Sequence, residues 1–292
     1  MNSLDYIGNT PLVKTGNIIS EKSSQLWLKL EGNNPGGSVK DRAAYNMIKS
    51  ALERGEIVKG DHLVEATSGN TGIALAYIAR LLKLKISLIL PEHSTKERIQ
   101  TMRAYGAEVV LTPAEIGIEG SRDVAEDYVR DKGYFMLDQF SNEDNWKAHY
   151  KTTGPEIWEQ TKGKITHFVS AMGTTGTITG VSKFLKEKNK DIVIVGAQPE
   201  EGSRIPGIRK WSPEYVPSIY NPEHVDRIVY VNAEEARTMT HRLAKDEGVF
   251  AGMSSGGAAA VADKISKDYK NAFMVSIVCD RGDRYLSSDL FD

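Results

Sequence analysis

Leu63-Val64-Glu65-Ala66-Thr67-Ser68-Gly69-Asn70-Thr71-Gly72-Ile73-Ala74-Leu75-Ala76-Tyr77-Ile78 passes from a strand into a helix through one short turn. Leu63 to Ala66 is strand-sized, and Ile73, Ala74, Ala76, Tyr77, Ile78 and Leu81 recur at helical spacing. The next apolar run, Ile86-Ser87-Leu88-Ile89-Leu90, stops at Pro91. Downstream, Ser94 with Glu97 three residues on reads as a capping box for a helix to Tyr105, ended by Gly106. Glu108 to Leu111 reads as a strand, Arg122 to Lys132 as a helix, and Phe135 to Leu137 as a short strand. The second half repeats the rhythm. His167 to Ser170 is a strand, Ile178 to Lys188 a helix, and Ile192 to Val195 a strand without polar alternation, hence buried on both faces. An irregular, proline-rich segment covers 199–222, followed by helices over 234–246 and 256–267 and a buried strand, Phe273 to Val278. This alternation predicts an α/β fold of parallel sheets with helices on both faces. Ligands in such folds sit beyond the carboxyl ends of strands. The glycine-rich turns at those ends are therefore the places to look.

The bulk properties exclude several classes. The 292 residues suggest one large domain or two ordinary ones, with 40% hydrophobic and 26% charged residues as in water-soluble globular proteins. A net charge of −2 gives no electrostatic reason to expect nucleic acid or an acidic membrane. No apolar run approaches the ~18 residues of a spanning helix. Met1 to Tyr6 lacks a secretory pattern, and Cys279 is the single cysteine, so no intramolecular disulfide forms. A cytoplasmic protein is expected.

Four segments hold the candidate chemistry. In Asn33-Asn34-Pro35-Gly36-Gly37-Ser38-Val39-Lys40-Asp41-Arg42 a glycine turn delivers Lys40 into the first turn of a helix. A cation there opposes the helix dipole, which disfavours a structural lysine and lowers the pKa of one that must act as a neutral amine. Such an amine attacks aldehydes; a lysine merely reaching into water fits the same residues. Thr67 to Gly72 offers hydroxyls, an amide and N–H groups at a helix N-terminus, suited to a carboxylate or to ordinary capping. Gly173-Thr174-Thr175-Gly176-Thr177 can wrap a singly attached phosphate, and without a loop lysine it is no nucleotide-triphosphate site. Cys279-Asp280-Arg281-Gly282-Asp283-Arg284 follows the last strand, so Cys279 ends a strand on the ligand face. No histidine pairs with it in a known motif, His149 and His241 read as helix-face residues, and no ligand spacing suggests a metal.

Together, residues 33–42, 67–72, 173–177 and 279–286 resemble the fold-type II pyridoxal-phosphate (PLP) enzymes, whose architecture is that of the tryptophan synthase β chain. More narrowly they resemble the cysteine synthases (O-acetylserine sulfhydrylases). The likeness starts at Ile7-Gly8-Asn9-Thr10-Pro11-Leu12 and runs nearly to the end. Gly173 to Thr177, Cys279 to Leu286, Gln198 to Ser203 and Ile205 to Arg209 follow the B-type pattern; the A type has G-T-G-G-T and S-S-G-E-R-Y instead. The resemblance implies that Lys40 carries the cofactor as a Schiff base and that Asn70 bonds its ring oxygen. Gly173, Thr174, Thr175, Gly176 and Thr177 would hold its phosphate, and Cys279 would face its ring nitrogen. Thr67, Ser68, Thr71 and Gln139 would hold the substrate carboxylate.

The implied activity is β-replacement of acetate in O-acetyl-L-serine by sulfide or thiosulfate, with a serine/threonine dehydratase or cystathionine β-synthase as the alternative. A non-catalytic PLP-binding relative is disfavoured by intact Lys40, Asn70 and glycine loops. The implied layout is a smaller mobile domain at 35–144 with residues 1–10, a larger one at 145–292 with residues 11–34, the cofactor between them, and a homodimer. The short C-terminal tail is expected to cost no activity. Arg209 is a candidate anion contact for thiosulfate, with Arg281 a second candidate that Asp280 and Asp283 could neutralise; a solvated basic edge at Arg209 and Lys210 fits equally.

Overall fold

Strands apolar on both faces need cover on both, and this chain supplies it with a helix after almost every strand. The computed structural model describes residues 2–67 and 69–292; Ser68 lies outside the described residues. In chain order the elements are β1 (Leu12–Lys14), β2 (Gln25–Leu30), α1 (Lys40–Arg54), β3 (His62–Ala66), α2 (Asn70–Leu81), β4 (Lys85–Pro91), α3 (Lys96–Ala104), β5 (Glu108–Thr112), α4 (Gly117–Lys132) and β6 (Phe135–Met136). There follow α5 (Glu143–Lys151), α6 (Thr153–Gln160), β7 (His167–Ala171), α7 (Gly176–Lys188), β8 (Val193–Pro199), β9 (Arg227–Val231), α8 (Ala233–Glu247), α9 (Met253–Ser266) and β10 (Phe273–Val278).

Two sheets form. One is four-stranded and parallel, in the order β5-β4-β3-β6. The other is six-stranded, in the order β1-β2-β10-β7-β8-β9, and parallel except at its edge. There β1 returns antiparallel to β2, because its short connection cannot make the crossover that a parallel neighbour needs. The all-parallel expectation is corrected at that one strand. Leu63, Ile73, Ile78 and Leu88 pack one core, which also takes in Leu4 from the N-terminus. Phe168, Val181 and Ile277 fill one face of the larger sheet; Leu26, Val195 and Met274 fill the other.

Local expectations fail where a side chain has a better use elsewhere. The cap of α3 is Thr95, not Ser94, and its side chain makes no capping bond. Glu97 is engaged by the Ser287 hydroxyl at 2.6 Å, so it is not free to close a capping box. Helix α4 starts at Gly117, five residues before the expected Arg122, and α7 and α9 each start a little earlier than expected.

Candidate active site

Lys40 opens α1 three residues after Gly37, whose φ of +81° makes the turn. Its approach is stitched to the end of β10: the Val39 N–H donates to the Cys279 carbonyl at 2.8 Å, and Ser38 bridges Asp280. The lysine is half-buried. Loss of water pushes its pKa below the usual lysine value; Asp280 opposes that shift, and the Arg209 charge adds to it. Cys279 is raised to about 12, chiefly by burial and then by Asp280, so its thiol stays protonated.

Asn70 opens α2 and lies across this point. Its Nδ2 donates to Asp280 Oδ2 at 2.7 Å, and its Oδ1 accepts from Arg284. Asp280 also accepts from the Tyr285 hydroxyl at 2.7 Å. The buried Thr71 hydroxyl donates to Gln139 Oε1 at 2.7 Å, which joins the turn after β3 to the segment after β6. Thr67 is buried at the same turn. Asn145 on α5 donates from Nδ2 to the Gln139 carbonyl at 2.7 Å and to Thr174 Oγ1 at 3.3 Å. It therefore ties Gln139 to the Gly173–Thr177 loop at the start of α7. Arg209 reaches the same region: its N–H donates to the Met172 carbonyl at 2.8 Å, and its guanidinium lies 5.2 Å from the Trp211 ring centroid. Trp211 itself donates to the Gly173 carbonyl at 2.9 Å.

Residues from four distant segments thus converge on Lys40. Arg281 does not join them; it is exposed and paired with Asp283 at 3.0 Å. Lys210 is exposed and 4.0 Å from Glu201, so the basic edge splits into a half-buried Arg209 and a solvated Lys210.

Residues 4–280 match the family described as pyridoxal-phosphate dependent enzyme. The chain belongs to the pyridoxal-phosphate dependent enzymes. Cysteine synthase B of Escherichia coli K12 is 56% identical over 292 residues, all of this chain and 96% of that protein. The cysteine synthase B of Pseudomonas aeruginosa is 56% identical over 288 residues, 99% of this chain and 96% of that one. Among solved structures, a cysteine synthase from Entamoeba histolytica superposes with a TM-score of 0.94 at 36% identity, over 99% of this chain and 90% of that one. An O-acetylserine dependent cystathionine β-synthase from Helicobacter pylori gives 0.92 at 34% identity, over 100% and 99%.

As a member of this family the enzyme uses pyridoxal phosphate, and the residues present fit it. Thr174, Thr175 and Thr177 are buried in a loop that ends on the N-terminus of α7. The Thr175 hydroxyl is buried with no partner. Its residue holds a φ of +70°, the left-handed conformation that β-branched residues avoid unless held there. A side chain at Gly173 would press on the Gly207 carbonyl at 2.9 Å, and one at Gly176 would collide with Asn145. Only glycines leave this cradle open. Among the described residues no His, Cys, Asp and Glu group could hold a metal.

The sequence reading missed several contributors. Asn145 sits in a helix too short and polar to show periodicity. His149, read as a helix-face residue, is buried behind the loop, 2.9 Å from Thr153 Oγ1 and 3.3 Å from Thr177 Oγ1. Burial, then the Arg42 charge, holds its pKa down at about 3, so it is neutral. From sequence, Glu65 reads as no more than part of a strand. A charged residue in an otherwise apolar run was the available signal.

Proposed function

We propose that this enzyme is a cysteine synthase: it replaces the acetate of O-acetyl-L-serine with sulfide or thiosulfate, giving L-cysteine or S-sulfocysteine. The observation that carries the reading is Lys40 at the head of α1, stitched beside Cys279 by the Val39–Cys279 bond at 2.8 Å, in a chain 56% identical to a cysteine synthase B. When bound, the cofactor supplies an electron sink for the α-carbon of the amino acid. Lys40 would hold it, and its free amine would serve as the general base for the α-proton of the amino acid. Cys279 would offer the cofactor ring a neutral group in place of a carboxylate, which suits loss of a β-leaving group better than transamination. Gly173 to Thr177 would bind the phosphate and Asn70 the ring oxygen. Thr67, Ser68, Thr71 and Gln139 take the substrate carboxylate, and Arg209 takes an anionic sulfur donor.

We further propose a homodimer in the cytoplasm, with 35–144 and residues 1–10 moving as a unit against the rest. Among the described residues no helix is long and apolar enough to cross a membrane. The deciding experiment assays the purified holoenzyme with O-acetyl-L-serine and sulfide, thiosulfate or homocysteine in turn. Cysteine or S-sulfocysteine with stoichiometric acetate supports the reading. Faster use of homocysteine would make the enzyme a cystathionine β-synthase, and ammonia release without a sulfur product would make it a dehydratase.

A further inference from the structure

Gln139 is gripped by its own main chain from two directions. On the amide side, buried Glu65 at the end of β3 accepts the N–H of Asp138, the residue before Gln139, at 3.1 Å. On the carbonyl side, the fully buried Asn145 donates to the Gln139 oxygen at 2.7 Å. Between the two grips, Asp138 adopts a φ of +49°, a left-handed conformation that a non-glycine residue keeps only where its surroundings hold it. That twist turns the chain so that the Gln139 amide meets Thr71 at 2.7 Å.

The two holders differ in what else they touch. Asn145 also reaches Thr174 at 3.3 Å, and its Oδ1 is buried without a partner against Gly176. Glu65 has no contact with the phosphate loop. Its charged surroundings are the Asp138 carboxylate and the Arg122 guanidinium of α4. Burial, then Asp138, raises its pKa to about 8, so at neutral pH it can lie under a carboxylate site without repelling it.

We infer that Glu65 and Asn145 are positioning residues that fix Gln139 for the α-carboxylate of the amino-acid substrate. The inference rests on the proposed cysteine synthase reading. Glu65 serves the substrate side alone; Asn145 serves the substrate side and the phosphate loop together.

The test compares wild type, Glu65→Ala, Glu65→Gln and Asn145→Ala as holoenzymes. It measures kcat and KM for O-acetyl-L-serine at saturating sulfide, and the affinity for L-serine from the change in the cofactor's visible absorbance. Glu65→Ala is expected to raise KM and the L-serine Kd by about 10- to 100-fold, with kcat at saturation far less affected. Glu65→Gln keeps an oxygen for the Asp138 N–H and recovers most of that loss. Asn145→Ala shows the same rise, and it also shifts the phosphorus NMR signal of the bound cofactor, which Glu65→Ala leaves in place. Unchanged KM and Kd in Glu65→Ala, or a loss confined to kcat or cofactor content, would overturn the inference. If Glu65→Ala does not fold, folded Asn145→Ala with unchanged KM and Kd overturns it equally. A wild type inactive on O-acetyl-L-serine that still shows Glu65-dependent L-serine affinity removes the functional reading and leaves the clamp. An active wild type with no Glu65 dependence removes the clamp alone.

Discussion

Lys40 is the residue on which the chemistry turns, and its environment explains why a lysine is tolerated there. A cation at a helix N-terminus, stripped of water, is disfavoured by both dipole and desolvation. Both costs vanish for the neutral amine that the reaction uses. Lys40→Ala is expected to abolish turnover while leaving a folded protein that carries no covalently held chromophore; normal cysteine production would sink the assignment. Arg209 poses the finer question. Burial lowers its pKa and the Arg122 charge pushes the same way, against Glu119, so the site leans toward an anion. Its flat guanidinium over Trp211 is suited to the forked bonding of a sulfonate-like group. Arg209→Ala should weaken thiosulfate use by about 1.5–3 kcal/mol, roughly 10- to 150-fold in kcat/KM, and sulfide use far less. Equal losses would assign Arg209 to folding instead. At this scale the sequence was legible where glycines and a lone lysine or cysteine punctuate a pattern, as at Lys40 and Cys279. It was silent on Asn145 and marked Glu65 only as a charge in an apolar run; what each does comes from what the fold brings to it.

Helix α1 must be held rigidly if Lys40 is to be aimed, and the anchor is Arg42, one half-turn on. Its guanidinium meets Glu31 at 2.7 Å and Glu156 at 2.6 Å, all largely out of water. Lys29, fully buried on β2, completes the cluster through Glu156 at 2.7 Å. Burial opposes the charge on Glu31, but the Arg42 charge and hydrogen bonds, with Thr10 and Lys29, outweigh it and hold the carboxyl at about 2. Removing one partner of a buried pair leaves an uncompensated charge, so Arg42→Ala should cost about 3–5 kcal/mol in urea denaturation. The pH signature has a definite sign. Glu31 is depressed in the folded state, so its contribution is present above the unfolded value of about 4.3 and is lost as pH falls toward 2. Arg42→Ala should abolish that acid loss; an unchanged stability profile below pH 4.5 would show that the cluster does not anchor the helix. This cluster also explains what hid some elements. Gln25, Trp27 and Lys29 alternate with Leu26, Leu28 and Leu30 along β2, a pattern that suggests a half-exposed strand, yet Lys29 is buried because Glu156 awaits it. Helix α6 contains Gly154-Pro155, which reads as a breaker, but Pro155 lies in the first turn where its missing N–H costs nothing.

At the scale of the molecule, the two sheets are joined by few strands of chain, and the site lies where their loops meet. The N-terminus packs Leu4 on the four-stranded side before β1 enters the six-stranded sheet. The chain then crosses between β2 and β3 and returns between β6 and β7. The alternation of strands and helices made parallel sheets legible, because parallel strands demand crossovers and crossovers demand helices, while the division into two came only with the resemblance. What it could not convey is which contacts bridge the sheets. Beside the buried Arg42 cluster and Asn145, the other bridges are polar or thin: Asn70 to Asp280, Ser287 to Glu97 at 2.6 Å, and the Arg98 guanidinium 5.1 Å from the Tyr285 ring. Small polar contacts can break and re-form at little cost, whereas each apolar core must move as a unit. Gln139 and Thr71 lie with the four-stranded sheet, and α1 packs Ala44, Met47 and Ile48 into the same core while Arg42 anchors it on Glu31 and Glu156; Thr174 follows β7 of the other sheet. Under the proposed reading, an amino acid held at Thr71 and Gln139, on a cofactor whose phosphate would sit at Gly173 to Thr177, would pull the two sheets together and exclude water from the reacting carbon. L-serine added to the holoenzyme should reduce the radius of gyration in solution scattering and slow amide exchange in residues 67–72 and 137–145. Thr71→Ala should lose both effects while keeping the cofactor's absorbance. An unchanged scattering curve together with unchanged exchange, at L-serine concentrations that saturate the absorbance change, would mean that the site forms without movement of either sheet.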